Sequence, residues 1–525
     1  MSTATRQPAI ESGATSSPAQ TVPGPRERRI LLIAVCIALM AVIAAVTGLN
    51  VAQPPLAVDL DASQSQVLWM INTYAITLAA LLLPLGAVGD RWGRKPVLVA
   101  GLIVFGVANM ASALAPSTPV MLAARFLSGV GAAAIMPVTL SLITSIFPES
   151  ERSKAIGVWT GVAGGGGVIG MFLSAVLVDY LSWRWLFALP VVLVLIALVM
   201  TIRSVPDSRE RPMHAFDLVG ALLSIIAVMA WTFALHEGPV VGWSAIGTLS
   251  AAAFGAAASV AFVAWERRHP APLLDVRLFR QRRLTSGSVS LLIWFGVQSG
   301  VFIVLYPFFQ AVLGWSGLRA TLGLMPMAVL MMGFSGVAPR LAARIGARMT
   351  MAGGILLGAI GLAMMALQVS VPGGYLSVLP GMIVMGIGMG LSMAPSTEAI
   401  TRSLPNDRQG VASALNDVTR EFGTALGVAL LGAVFSAGYA TAFAAPPGLS
   451  ADAAAAAQRG IANAMEVANG APYATALQSA ARQAFVDGWQ QAMWAGAAVM
   501  ALLFVFVLLR GPAAIDETSE PAHAS

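Results

Sequence analysis

The chain has 525 residues, 57% of them hydrophobic and 10% charged, with a formal net charge of +6, a pI near 10.0 and a mean hydropathy of +0.80. A soluble domain carries about half apolar and a quarter charged residues, so this balance excludes an ordinary water-soluble fold. A single cysteine, Cys36, excludes a disulfide framework and a multi-cysteine metal site, and His214, His236, His269 and His523 are too scattered for a histidine-held metal.

The first 29 residues are polar and rich in Ser, Thr and Pro, and are expected to be disordered. Apolar runs follow at 30–52, 67–89, 96–115, 119–146, 155–178, 184–203, 216–235, 244–265, 285–312, 319–340, 349–369, 375–397, 409–436 and 489–510. Each can cross about 30 Å of hydrocarbon as a helix. Backbone polar groups must be satisfied internally in lipid, and the short alternating strands of a β-barrel are absent from the pattern, so the runs read as fourteen helical spans. The first is too long for a signal peptide and leads into Gln53-Pro54-Pro55 rather than a small-residue cleavage site.

Threading the spans back and forth collects most Lys and Arg on one side, including Arg91, Arg94, Lys95, Arg152, Lys154, Arg267, Arg268, Arg340, Arg344, Arg348, Arg402 and Arg408. Arg184, Arg319, Arg459 and Arg482 fall on the other side, and Arg125 and Arg420 inside spans. The basic side is therefore expected to be cytoplasmic, with both termini there. The same asymmetry accounts for the pI without invoking nucleic acid. Residues 266–284 form a basic segment expected to lie against anionic headgroups. Residues 437–488 form an alanine-rich outer loop with short amphipathic helices expected near 451–467 and 474–486.

GAVGDRWGRK at 86–95, after the second span, stacks on PRLAARIGAR at 339–348, after the tenth. Arg91 aligns with Arg344, Gly93 with Gly346 and Lys95 with Arg348, whereas Ala343 stands opposite Asp90. The organisation is then a six-helix block at 30–203, a two-helix insert with its linkers at 204–284, a second six-helix block at 285–510, and a tail at 511–525. Carriers built from such repeats bind substrate between the halves.

The loop Gly86-x-Val88-Gly89-Asp90-Arg91-Trp92-Gly93-Arg94-Lys95 resembles the signature of the major facilitator superfamily. Fourteen spans, with Leu68-Trp69, Thr73-Tyr74, Ser182-Trp183-Arg184-Trp185 and Asp275-Val276-Arg277-Leu278-Phe279, resemble its drug:proton antiporter branch, which includes the quaternary-ammonium and methyl-viologen pumps. The resemblance covers roughly 30–510. It implies an all-α polytopic membrane protein of two six-helix bundles plus two extra central helices. It also implies that Gly86, Asp90, Arg91, Gly93, Arg94 and Lys95 form a cytoplasmic gate, although such charges could instead only set topology.

A charge at mid-bilayer costs about 2.5–3.5 kcal/mol on insertion scales, so one that is present needs a partner or a task. Arg125 matches the family's buried arginine, with Ser128 in place of the usual glutamine, and is either a participant in proton transfer or a structural pair. In span 13, Asp417 and Glu421 share a helical face, and Arg420 is placed to pair with Asp417. One of these acids is expected to exchange a proton for substrate; the alternative is a salt-bridged cluster that only holds helices together. Gly157, Gly161, Gly165, Gly166 and Gly170 of span 5 read as close-packing positions. Asn50, Asn72, Trp69, Trp159 and Trp294 are candidate cavity residues, the tryptophans also suiting packing or interfacial anchoring.

Three positions depart from the family pattern: Ala45 replaces the span 1 aspartate, Asn72 replaces an acid found in some relatives, and Gly170-Met171 lacks the span 5 proline. Fewer N-terminal acids favour a monovalent or neutral amphipathic substrate over a divalent cation. No Walker loop is present, so a proton gradient rather than a bound cofactor is expected to supply the energy. The expected partners are a small-molecule substrate, protons and membrane lipid; a periplasmic adaptor is neither implied nor excluded. Three functions stay open: proton-coupled export, symport or uniport of a metabolite on the same scaffold, and, remotely, a sensor or intramembrane enzyme.

Overall fold

The computed structural model describes residues 23–206, 216–469 and 472–512, and contains no strand among them. The helices are α1 (Pro25–Val51), α2 (Gln53–Asp59), α3 (Gln64–Trp92), α4 (Arg94–Ala113), α5 (Thr118–Ile146), α6 (Glu149–Tyr180), α7 (Trp185–Ser204), α8 (Leu218–Val241) and α9 (Ile246–Glu266). They continue as α10 (Arg282–Pro307), α11 (Gly317–Ile345), α12 (Ala347–Gln368), α13 (Gly374–Thr401), α14 (Gln409–Ala442), α15 (Ala451–Gln458), α16 (Ile461–Ala468) and α17 (Ala474–Arg510). Fourteen of them are long and apolar enough to span a membrane. Side chains set several of the starts: Ser63 and Gln66 cap α3 reciprocally, Asp217 caps α8 through Gly220 N–H, and Ser316 caps α11.

The packing repeats. In the first half α1 contacts α6 and α7, α3 contacts α5, and α4 contacts α5 and α7. In the second, α10 contacts α14 and α17, α11 contacts α13, and α12 contacts α13 and α17. These are the same pairs displaced by one block, each around its own buried apolar core. The halves meet along two equivalent seams, α3 with α14 and α6 with α11. Gly93 and Gly346, aligned from sequence, both break the chain between consecutive spans at positive φ, 103° and 86°. Side chains seldom take that conformation, which explains a glycine at both positions. The insert lies across one seam: α8 packs on both α3 and α14, and α9 packs chiefly on α8.

Four sequence expectations change. The first span begins at Pro25, not 30: proline suits the first helical turn, and Glu27 Oε2 accepts from the Gly24 N–H at 2.9 Å; only 1–22 of the expected disordered tail lie outside the described residues. The outer loop is 443–473 rather than 437–488, since α14 runs on to Ala442 and α17 starts at Ala474. The expected helix at 474–486 is the first part of α17, where Leu477, Ala481 and Phe485 are buried in the second half's core and extend the helix beyond the bilayer-length run. The expected helix at 451–467 is two, α15 and α16, broken at Arg459–Gly460. Arg209, Arg211, His214 and the tail from 513 lie outside the described residues.

Small residues permit the closest approach within the second half. A Cβ at Gly427 of α14 would stand 1.8 Å from the Gly296 carbonyl oxygen of α10, whereas one at Gly333 meets nothing within 4 Å. Gly427→Ala is therefore expected to destabilise the protein by about 1–3 kcal/mol through overpacking. Gly333→Ala should be neutral or mildly stabilising. Thermal unfolding in one detergent compares the two.

Candidate functional site

The basic end of the α3–α14 seam is built around Asp90. Gly410 and Val411, in the first turn of α14, donate backbone N–H groups to its Oδ1 (2.8 Å) and Oδ2 (3.1 Å). Arg94 Nη2 donates to Asp90 Oδ1 at 3.1 Å and to the Asn406 carbonyl at 3.2 Å. The carboxylate thus satisfies orphan donors at a helix N-terminus belonging to the other half. Gly86 and Gly410 make this approach possible: a Cβ on Gly410 would lie 2.2 Å from the Gly86 carbonyl oxygen. Gly93 supplies the chain reversal, and Arg91 and Lys95 both have interaction partners.

The equivalent α6–α11 seam has Ala343 where the other has Asp90, and different groups hold it. Ser335 Oγ donates to the Gly157 carbonyl at 2.8 Å, and Gly157 and Gly165 lie against Ser335 and Met332. At the basic rim, Ser153 Oγ donates to Glu398 Oε1 at 2.5 Å, and Arg402 reaches both Glu398 (2.8 Å) and Glu149 (3.4 Å). Both seams are thus bridged at the basic end.

Farther in, roughly 12–18 Å along α14 at 1.5 Å per residue, lies a polar cluster at the boundary between the halves. Asp417 is fully buried; its Oδ1 accepts from Asn416 Nδ2 (3.1 Å) and faces Arg420 Nη1 (3.5 Å), while Oδ2 has no partner. Arg420 Nη2 donates across the boundary to the Ala163 carbonyl of α6 at 3.4 Å. Its guanidinium sits 4.5 Å from the Phe295 ring of the second half and 5.5 Å from the Trp159 ring of the first. Glu421 is half-buried on the adjoining turn.

Arg125 lies apart from that cluster's hydrogen bonds. Its Nε donates to the Met70 carbonyl (3.1 Å), its guanidinium covers the Tyr74 ring at 4.3 Å, and Nη1 is buried without a partner. Both contacts are with α3 of its own half.

The candidate cavity residues separate. Trp294 is not a cavity residue: it is fully buried in the core of the second half, where its ring fills the space beside Gly358 and Met500. Trp159 is equally buried and donates its indole N–H to Thr139 Oγ1 at 3.1 Å, leaving its ring for Arg420. Trp69 is partly exposed and packs on Phe233 of α8. Asn72 is half-buried on α3, and the Asn50 side chain lies outside the described residues. Gly166 and Gly170 pack on Met40, Ala44 and Thr47 of α1, a contact within one half.

The Ser182–Trp185 motif serves the opposite rim. Trp183 Nε1 and Arg184 Nη1 donate to Asp59 Oδ2 at 2.9 and 2.5 Å, tying α2 to the α6–α7 turn. Those two hydrogen bonds hold the Asp59 carboxyl below the usual carboxylate range. A lowered value means the tie contributes at all pH values above the unfolded one and fades as pH falls through the folded one. The difference in melting temperature between wild type and Asp59→Asn should therefore be constant from mild alkali to mild acid and shrink only below about pH 4.

The sequence reading missed the N-terminus of α14 as Asp90's partner, the Glu149–Ser153–Glu398–Arg402 cluster, and the two rings around Arg420. Only the first had a local signal: Pro405-Asn406-Asp407-Arg408-Gln409-Gly410 reads as a helix start, with the glycine at a point of close approach.

Two six-helix halves, meeting at seams that can be latched and carrying buried charge between them, define a polytopic membrane transporter. The sequence profile of the Major Facilitator Superfamily matches residues 35–428, and the chain belongs to that family. The chain is similar to the multidrug efflux pump LfrA of Mycolicibacterium smegmatis, 33% identical with 84% of this chain and 88% of that protein covered. It is similar to the methyl viologen resistance protein SmvA of Salmonella typhimurium, 30% identical over 91% and 97%. It also resembles the puromycin resistance protein pur8 of Streptomyces alboniger, 33% identical over 85% and 89%. Among solved structures, the human organic anion transporter MFSD10 superposes with a TM-score of 0.62 at 14% identity, covering 92% of this chain and all of that one. The proton:xylose symporter XylE gives 0.59 at 14%, over 93% and 96%. At that identity both show the fold alone.

Proposed function

We propose that the protein is a proton-coupled exporter of small amphipathic compounds, including organic cations. Three relatives, matched over 88–97% of their own length, are named for multidrug efflux, methyl viologen resistance and puromycin resistance. The basic face is cytoplasmic, both termini lie there, and the membrane is the bacterial inner membrane. The conformation described is then the one closed towards the cytoplasm.

The observation that carries the coupling is the buried Asp417–Arg420 pair at the boundary between halves. When Asp417 is ionised, the two charges neutralise each other in a dry site. When it takes a proton, Arg420 keeps its charge and its hold on the Ala163 carbonyl but loses its counter-ion. The energy of the boundary thus depends on the proton, and a two-state carrier biased in this way converts proton entry into a change of face. Glu421, one turn away, is the second candidate carrier, and Asp90 with Arg94 and the α14 N-terminus is the cytoplasmic latch. Export is driven by the proton gradient, which contributes about 2.3 kcal/mol per 100 mV of membrane potential for each proton.

The test is transport by the purified chain in liposomes under an imposed pH gradient, with ethidium, puromycin and methyl viologen as probes. Substrate and protons should move in opposite directions, with the monovalent probes favoured over dicationic methyl viologen. Movement in the same direction would make the protein a symporter. Transport insensitive to the gradient would make it a uniporter.

A further inference from the structure

We propose that the basic end of the insert carries a seat for one anionic phospholipid, in the groove between α8 and α9. The groove has a volume of about 430 Å³ and is lined by Leu223 of α8, Ala261, Ala264 and Trp265 of α9, and Arg268, His269 and Pro270 just beyond it. Its lower wall is apolar and made of small side chains. Its upper rim carries the Arg268 guanidinium and the His269 imidazole. An acyl chain beneath a phosphate has the same two-part chemistry.

Depth and orientation favour a lipid over a soluble anion. The outward face of α9 exposes Leu249, Phe254, Val260 and Val263, so the groove opens onto the surface that meets hydrocarbon. Its rim begins where α9 ends at Glu266, the level at which headgroups lie. The rim is also prebuilt. Trp265 Nε1 donates to both oxygens of Asp217 (3.0 and 3.2 Å), and its ring stacks on His269 at 5.5 Å. The Ala271 N–H donates to His269 Nδ1 at 3.3 Å, which makes that nitrogen an acceptor and leaves the ring proton on Nε2, a donor suited to phosphate. Asp217 approaches the same Nδ1 only to 3.8 Å. The nearby carboxylates do not compete for the rim: Asp217 and Glu266 are buried, engaged with Gly220 and Trp265 and with the Leu274 N–H respectively. Arg268 and the imidazole thus face a phosphate without an exposed acid between them.

The experiment uses the full chain in detergent, with phosphatidylglycerol or phosphatidylcholine of the same acyl chains added back, and reads retained lipid by native mass spectrometry and melting temperature. The expected result is one tightly retained phosphatidylglycerol, at least fivefold preferred over phosphatidylcholine, with a melting temperature that rises only for the anionic lipid. R268Q with H269Q should remove the preference, and A264W should abolish retention of that lipid by filling the groove; R268K should keep it and so guards against general damage. Equal retention of the two lipids would overturn the proposal, as would an unchanged preference in the double variant. Stabilisation by inorganic phosphate equal to that by phosphatidylglycerol would overturn the assignment to lipid.

Discussion

Asp90→Asn is expected to abolish most transport and to shift the protein away from the state closed at its basic end. The carboxylate accepts from two backbone donors at the start of α14, 320 and 321 residues away in the chain, and from its neighbour Arg94, which itself reaches across to the Asn406 carbonyl. Asn keeps one acceptor oxygen, loses the charge, and turns an N–H₂ group towards donors that need an acceptor. Hydrogen bonds to a charged group contribute about 1.5–3 kcal/mol, so the closed state should lose a factor of about 10–150 relative to its alternative. Spin labels at Ser150 and Asp407, exposed on opposite halves of the basic rim, in a Cys36→Ser background, would report the change as a longer distance distribution. Gly410→Ala should do the same, because its methyl group collides with the Gly86 carbonyl and with the Asp90 carboxylate itself. If both variants keep the wild-type distances, the latch does not hold the two halves together.

Asp417→Asn combined with Glu421→Gln should abolish proton-driven accumulation while substrate counterflow continues. Counterflow needs only the change of face; accumulation needs the proton. Asp417 alone has a structural complication, since removing one partner of a buried ion pair costs about 3–5 kcal/mol. Asp417→Asn should therefore lower the melting temperature. Asp417→Asn with Arg420→Gln, which removes both charges, should recover most of that loss and still fail to couple. This pattern separates a proton carrier from a charge pair that only holds helices together. Unchanged gradient dependence in the acid-free variant would end the coupling assignment for span 13.

Different groups hold the two seams. The α3–α14 seam is bridged by a carboxylate on a helix N-terminus; the α6–α11 seam, with Ala343 in the equivalent place, is joined by glycine packing and by Glu398 with Arg402. The insert sits on the first of these. Phe216, just ahead of α8, stacks on Trp92 at 6.3 Å, and Arg408 donates to the Pro272 carbonyl at 3.2 Å, so the insert is fastened to both sides of the latch.

The sequence by itself determined what depends on local composition. Fourteen runs of bilayer length require fourteen helices, because lipid offers no partner for a backbone N–H or C=O. The charge asymmetry of the loops set their alternation, and the match of Gly93 with Gly346 exposed the duplication, because both turns need a positive φ. The identity of Asp417 and Arg420 as charges that must have partners was also legible, since a lone charge in hydrocarbon is costly; Asp90, just past the second apolar run, stood out only through the resemblance of that stretch to a family signature.

Only the tertiary structure decided what those partners are and which aromatic residues are sealed away. Trp69 and Trp294 are the same residue type in similar apolar runs, yet one faces the insert and the other fills the core of its own half. The extent of the outer loop depended on the burial of Leu477 and Phe485 against distant helices, which no hydropathy window registers. Hydrophobicity is additive along the chain and can be read from it. A hydrogen bond between Asp90 and Gly410 exists only because folding brings two separated helix ends to within 3 Å.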